Sequence, residues 1–260
     1  MSFGYCNLSF IPARAEPSDK AEMTNQVLFG EHFEVLDEND EWYKIKLDHD
    51  DYECWVDKKQ VALLSEEEDH EEDSEYLVSD VSGYLEVKGS DSELNLVLGS
   101  LFPAHDKGAF FIGENAYHFH GGIINYDAGS LDDVSDYAHL YLNTPYLWGG
   151  RTPFGIDCSG FTQMVFRMCG IALSRDSHEQ VEEGETVEML EEAEEGDLAF
   201  FRNESGRITH VGIIITDQET GGWSIIHASG RVRIDKLDEQ GIYNTENKQY
   251  SHNLDCIRTF

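Results

Sequence analysis

YLWGGRTPFGIDCSGF, residues 146–161, sets the architecture of the second half of this chain. A Gly-rich turn runs into Asp157, after which Cys158, Phe161, Met164, Val165 and Met168 recur at helical intervals as far as Gly170. The spacing predicts a helix over residues 157–170 with Cys158 in its first turn. Unpaired backbone N–H groups and the positive end of the dipole favour thiolate over thiol there, so the cysteine is expected to titrate below its free value of about 8.5. Asp157 is placed to cap this helix, Gly160 to leave space beside the sulfur, and Gly149, Gly150 and Gly155 to permit a close backbone approach.

Upstream, LDDVSDYAHLYL (residues 131–142) spaces its apolar residues as a helix does, with Asp132 and Asp133 in the first turn, and Thr144-Pro145 ends it. Downstream, LAFF, HVGIIIT and WSIIHAS alternate with acid-rich turns and read as strands. Residues 130–260 are therefore expected to form an α+β domain, helices first and an antiparallel sheet after.

Earlier in the chain, short β-like runs separated by turn signals fill residues 1–64, including HFEVLDEND, EWYKIKL and YECWV. Closely spaced short strands imply a small barrel or sandwich. The run SEEEDHEEDSE at residues 65–75 has heavy like charge and no apolar period, and reads as a solvated linker. Residues 76–129 repeat the strand pattern, which suggests a second small β module related to the first by a distant duplication.

Composition excludes several function classes. With 52 acidic against 18 basic residues and a formal charge of −34, the chain has no cationic cluster for phosphate, so neither nucleic acid nor an anionic membrane is an expected partner. No basic region followed by an apolar run opens the sequence, and no stretch reaches the roughly 20 apolar residues that span a bilayer. The five cysteines are odd in number and irregularly spaced, which fits a reducing cytoplasm better than a disulfide framework. A cytoplasmic monomer is the expectation.

A helix-borne cysteine becomes a nucleophile when an imidazole lies within reach and a third polar group fixes that imidazole's tautomer. His210 in RITHVGIII and His227 in SIIHASG sit on strands that could supply both. Other constellations are weaker. HEQVEE at residues 178–183 has Glu182 where a zinc-peptidase helix needs histidine. His118 and His120 would share one face of a strand, but no Cys or acidic cluster accompanies them in the sequence, so a structural role is favoured and neither metal nor cofactor is expected. Cys6, Cys54, Cys169 and Cys256 lack a histidine motif and read as structural, and Tyr146, Trp148 and Phe161 read as core or cleft-wall aromatics.

Taken together, YLWGGRTPFGIDCSGF, GDLAFF, ITHVGI and IIHAS resemble the NlpC/P60 family of cell-wall cysteine peptidases over residues 136–260. The resemblance implies a papain-like core with Cys158 as nucleophile, His210 as base and His227 as the orienting residue. It further implies hydrolysis of the bond between γ-D-glutamate and the diamino acid of peptidoglycan stem peptides, with lysine or diaminopimelate as that residue. RAEPSDKAEM, VLFGEHFEVL and EWYKIKL…YECWV resemble bacterial SH3-like domains. The implied fold is two small all-β SH3-like barrels followed by an α+β papain-like catalytic domain. Among such enzymes the closest likeness is to γ-D-glutamyl-L-diamino acid endopeptidases of cell-wall recycling, which take stem peptides with a free N-terminal L-Ala and whose first SH3-like domain walls one end of the groove. By motif, Asp157, Ser159 and Ser177 would line the substrate site, joined by Tyr52 and by Glu22 or Glu16 from the first domain. Cys54 stands where glycine is expected, which implies a changed turn there. Two other readings remain: a non-catalytic cell-wall binder, and an amidase or acyltransferase on the same core.

Overall fold

The computed structural model describes residues 2–64, 76–89, 92–103, 105–112 and 115–260, so the acidic run at 65–75 lies outside the described residues. The chain forms two compact units, Met1–Gly129 and Ser130–Phe260. Among the described residues no helix is long and apolar enough to cross a membrane.

In the first unit, strands β1 (Ser2–Tyr5), β2 (Phe10–Arg14), β3 (Met23–Leu28), β4 (His32–Glu38), β5 (Trp42–Leu47), β6 (Glu53–Asp57) and β7 (Ala62–Leu63) make one antiparallel sheet in the order β3-β2-β6-β5-β4-β1-β7. Period-two alternation turns Ile11 and Ala13, Ile45 and Leu47, and Cys54 and Val56 into a shared core with Cys6, Val27 and Phe33. Cys54 thus lies inside β6, opposite Ile45, as a buried core residue. The changed turn expected there does not occur, because a thiol is small and apolar enough to pack at that position.

The unit continues with β8 (Tyr76–Val78), β9 (Ser82–Val87), β10 (Glu93–Val97), β11 (Leu101–Phe102), β12 (Ala109–Ile112), β13 (Asn115–His120) and β14 (Ile123–Asn125). These form a four-stranded sheet, β10-β9-β13-β12, and a three-stranded sheet, β11-β8-β14. Their core gathers Val78, Leu85, Leu96, Phe102, Phe110 and Phe119, together with Phe29 from the turn after β3. Phe29 is 1% exposed, so the two β modules of this unit share a buried side chain.

The second unit opens with a 3₁₀ turn at Leu131–Asp133 and α1 (Val134–Leu140). The short hairpin β15 (Arg151–Thr152) and β16 (Gly155–Ile156) leads into α2 (Cys158–Met168), followed by α3 (Ser177–Gln180) and β17 (Glu185–Val187). All of α2 is buried, so it is an internal helix rather than an amphipathic surface one. β18 (Leu198–Arg202), β19 (Ile208–Thr216), β20 (Trp223–Ser229), β21 (Arg231–Asp238), β22 (Gly241–Asn244) and β23 (Gln249–Thr259) follow as antiparallel neighbours. β23 returns to pair with both β18 and β22, which closes these strands into a barrel with β17 added on β23. One face of the strands carries Ala199, Phe201, Ile214, Ile225, Leu237 and Ile242 as a single core. His210 lies opposite Phe201 and His227 opposite Arg233, so both imidazoles belong to this same face.

Phe29→Ala should lower the free energy of unfolding of the first unit by about 3–5 kcal/mol, the range for truncating a buried aromatic. Urea denaturation followed by fluorescence measures it, and a loss below about 1 kcal/mol would show that the shared core is not cohesive.

Candidate active site

Asp157 organises the start of α2. Its Oδ1 accepts the Gly160 N–H at 2.7 Å, capping the helix, and its Oδ2 accepts the Gly149 N–H at 2.8 Å. Arg175, 1% exposed, closes on both oxygens at 3.0 and 2.6 Å and also donates to Ser159 Oγ at 3.0 Å. Gly160 does not open space beside the sulfur, as the sequence reading had it. A Cβ there would meet the Gly150 carbonyl oxygen at 2.3 Å, so the glycine lets the preceding loop lie against the helix. The cysteine that follows this cap is held between α2 and β19, its sulfur accepting the backbone N–H groups of Val211 and Ser159.

Val211 directly follows His210 on β19, so the sulfur contacts the backbone of the strand that carries this imidazole. His210 Nε2 lies 2.7 Å from His227 Nδ1, and His227 Nε2 lies 3.2 Å from Asp235 Oδ2. A carboxylate only accepts, which places a proton on His227 Nε2; neutral His227 then accepts at Nδ1 and His210 donates from Nε2. That leaves Nδ1 of His210 with the free lone pair. Asp235 is itself held by Arg233, through Nε at 2.7 Å and Nη2 at 3.0 Å. Gly212 makes the packing possible, because a Cβ there would come within 2.8 Å of His227 Cβ. His252 from β23 stacks on His210 with centroids 4.1 Å apart and planes at 18°.

Burial decides the charge states. It pushes the Cys158 thiol up to about 12; the neighbouring Asp157 charge adds to this, and the two amide hydrogen bonds and Arg175 oppose it without prevailing. Burial also holds His210 well below the ordinary imidazole range, helped by the proximity of His227 and His252. His252 falls to about 4 for the same leading reason. For Asp235 burial works upward, yet hydrogen bonds from His227 and Arg233 outweigh it and keep the carboxylate ionised. The sequence expectation of a cysteine below its free value is thus overturned: desolvation outweighs the first-turn amides, and the resting pair is thiol and neutral imidazole.

The structure brings His210 and His227 into direct contact on neighbouring strands, and places Cys158 at the start of α2, beside Asp157 and Ser159, where that helix packs on β19. Ser177 is half-buried as the first residue of α3. Tyr52 and Glu22 belong to the other unit. Tyr52 packs against the first β core and Glu22 is exposed just before β3, as is Glu16 two residues after β2. Phe161 is fully buried, Trp148 is 59% exposed, and burial together with nearby Cys158 and Asp157 raises the half-buried Tyr146 hydroxyl. Sequence reasoning missed Asp235, Arg233 and His252. The first two were within reach: a hairpin turning at Gly230 sets Arg233 opposite His227, with Asp235 two residues on along the same face.

Residues 143–250 match the NlpC/P60 family and residues 13–61 match the bacterial dipeptidyl-peptidase SH3 domain. The chain is similar to the gamma-D-glutamyl-L-lysine dipeptidyl-peptidase of Bacillus subtilis, 29% identical over 219 residues covering 78% of this chain and 71% of that one. A probable endopeptidase p60 of Listeria seeligeri is 44% identical over 101 residues, which is 36% of this chain and 19% of the relative. Among solved structures, an NlpC/P60 family protein from Bacillus cereus shares the fold at a TM-score of 0.81, with 20% identity and 99% of each chain covered.

Alkylation reports the thiol's charge directly, since only thiolate reacts. With Cys158 raised to about 12, its iodoacetamide rate should climb about tenfold per pH unit between roughly pH 7 and 9. Mass spectrometry of the peptide carrying Cys158 follows this, and a rate already level above neutral pH would mean that a thiolate–imidazolium pair exists at rest.

Proposed function

We propose that this chain, whose residues 143–250 match the NlpC/P60 family, is a cysteine peptidase that hydrolyses the γ-D-glutamyl–diamino acid bond of peptidoglycan stem peptides. The observation that carries this reading is the buried relay from Asp235 through His227 to His210, with 2.7 Å between the two imidazoles and the thiol anchored on Val211. Nδ1 of His210 takes the thiol proton as Cys158 Sγ attacks the γ-glutamyl carbonyl, and the backbone N–H of Cys158 receives the oxyanion. The same imidazole then protonates the departing amine, releasing the diamino acid portion. Water, deprotonated by His210, resolves the thioester and frees the glutamate carboxylate. His227 and Asp235 hold the base in the tautomer that makes each transfer possible.

The name of the Bacillus subtilis relative supports L-lysine as the diamino acid. Residues 76–129 form a second SH3-like barrel in this reading, and residues 130–260 a papain-like domain. Selection of a free N-terminal L-Ala falls to Tyr52 and to Glu22 or Glu16, whose carboxylate would pair with the terminal ammonium, while Asp157, Ser159 and Ser177 line the substrate site. Five cysteines outside any disulfide support work in the cytoplasm, on peptides returned by wall turnover.

Incubation of L-Ala-γ-D-Glu-L-Lys with the protein should release L-Ala-D-Glu and lysine by mass spectrometry. Cys158→Ala and His210→Ala should abolish release, whereas His227→Gln should keep a measurable part, because glutamine can still orient the base. The acid limb of kcat/KM should fall below pH 6.5, since a lowered His210 pKa keeps the base neutral as pH drops. Absence of cleavage by the folded wild-type chain would refute the assignment. N-acetylation of the substrate should cost at least about tenfold in kcat/KM, because a charge-assisted hydrogen bond worth about 1.5–3 kcal/mol is lost. Equal kcat/KM for capped and free peptides would remove the first domain's assigned role.

A further inference from the structure

A second cluster lies far along the chain from the peptidase residues, within the first unit. β13 runs antiparallel to β9 with His118 opposite Glu86 and His120 opposite Tyr84, while Phe119 and Leu85 pair on the other face and enter the core. Alternation thus turns His118, His120 and Glu86 to one outward face. Glu86 Oε2 is 3.1 Å from His120 Nε2 and 3.9 Å from His118 Nδ1, and one donor atom from each of the three residues falls within 4.8 Å of the others. The acidic companion missing from the local sequence is supplied across the sheet, from 32 and 34 positions upstream of the two histidines.

We propose that Glu86, His118 and His120 form a binding site for a divalent transition-metal ion of the zinc type. Two observations beyond proximity support it. The other ring nitrogen of His118, Nε2, lies 3.3 Å from the Lys107 carbonyl, an acceptor, so Nε2 carries a proton and Nδ1 turns its lone pair toward the Glu86 carboxylate. Two acceptors facing one another across 3.9 Å leave a place for a cation, and an outer hydrogen bond of this kind orients imidazoles that bind metal. His120 is likewise fixed, stacked on Tyr84 with centroids 4.4 Å apart and planes at 12°. Bonds of about 2.0–2.1 Å in a tetrahedron put ligand atoms about 3.3 Å apart, so small rotations of half-exposed side chains suffice, and water completes the shell. Imidazole donors select zinc, nickel or copper over magnesium and calcium. The other cluster of three imidazoles, His210, His227 and His252, is the base and its supports, with the facing nitrogens of the first two already bonded to each other.

Isothermal titration of the whole chain with zinc chloride at pH 7.5, and separately with magnesium chloride, tests the site. We expect one zinc equivalent that disappears in a His118→Gln/His120→Gln variant, persists in His252→Gln, and binds at least about tenfold more weakly in Glu86→Gln, with no heat from magnesium. Circular dichroism confirms that each variant is folded; Glu86 and His118 are exposed, and His120 and His252 are half-buried. A wild-type chain that binds no zinc would show that Glu86, His118 and His120 are only neighbours on the sheet, and a zinc isotherm unchanged in the double variant would place the metal elsewhere. Either result overturns the proposal.

Discussion

The start of α2 depends on one buried charge. Asp157 has its carboxylate in the interior, where an unpaired ion would cost several kcal/mol, and it is tolerated because each oxygen receives a backbone amide and one arm of Arg175. Those four bonds tie three separate segments together: the Gly149 loop, the first turn of α2, and the approach to α3 that carries Arg175. Removing Arg175 alone would leave the charge buried and unmatched, a loss of about 3–5 kcal/mol by comparison with other broken internal pairs. Electrostatic satisfaction of its neighbour therefore helps to set the position of Cys158, alongside the contacts of its sulfur with the backbone of Val211 and Ser159.

Closing the strands of the second unit has a matching effect on the base. Face alternation on β19 and β20 sends His210 and His227 to the same side as the apolar core residues Phe201, Ile214 and Ile225, so the imidazoles are shielded from water. Desolvation would leave two adjacent imidazoles without a fixed proton arrangement. Asp235, ionised and paired with Arg233, removes that ambiguity by demanding a donor from His227, and the demand passes along the hydrogen bond to His210. The outer Arg233–Glu246 contact at 3.0 Å connects this chain to solvent, where a charge is cheap to hold.

Much of this was legible from one sequence, and what was not has identifiable causes. Helical spacing after Asp157 gave α2 nearly to the residue, and strand patterns around ITHVGI and IIHAS placed both histidines on adjacent antiparallel strands. Those are local signals. The ionisation state of Cys158 was misread because the first-turn argument counts the amides and omits burial, which cannot be seen until β19 covers the sulfur. His252 and the pairing of Glu86 with His118 were invisible because each depends on strand register over many residues. Arg175 likewise sits 18 residues from the aspartate it neutralises, in a segment without a regular period.

The neutral resting pair has a chemical consequence. Burial raises the thiol and lowers the imidazole, and both shifts disfavour separated charges before substrate arrives. A thiol of high pKa is a poor nucleophile but forms a strong one when deprotonated, so in the proposed reaction proton transfer to Nδ1 of His210 would accompany attack. On that proposal, developing positive charge on His210 would be drawn off along the hydrogen bond to His227 and met by Asp235, while negative charge would move from sulfur to the carbonyl oxygen near the start of α2. The charges that the interior penalises at rest are those its fixed dipoles are arranged to receive during reaction. This accounts for two histidines in series: an orienting group able to share a proton can follow the charge as it grows, which a fixed amide cannot do.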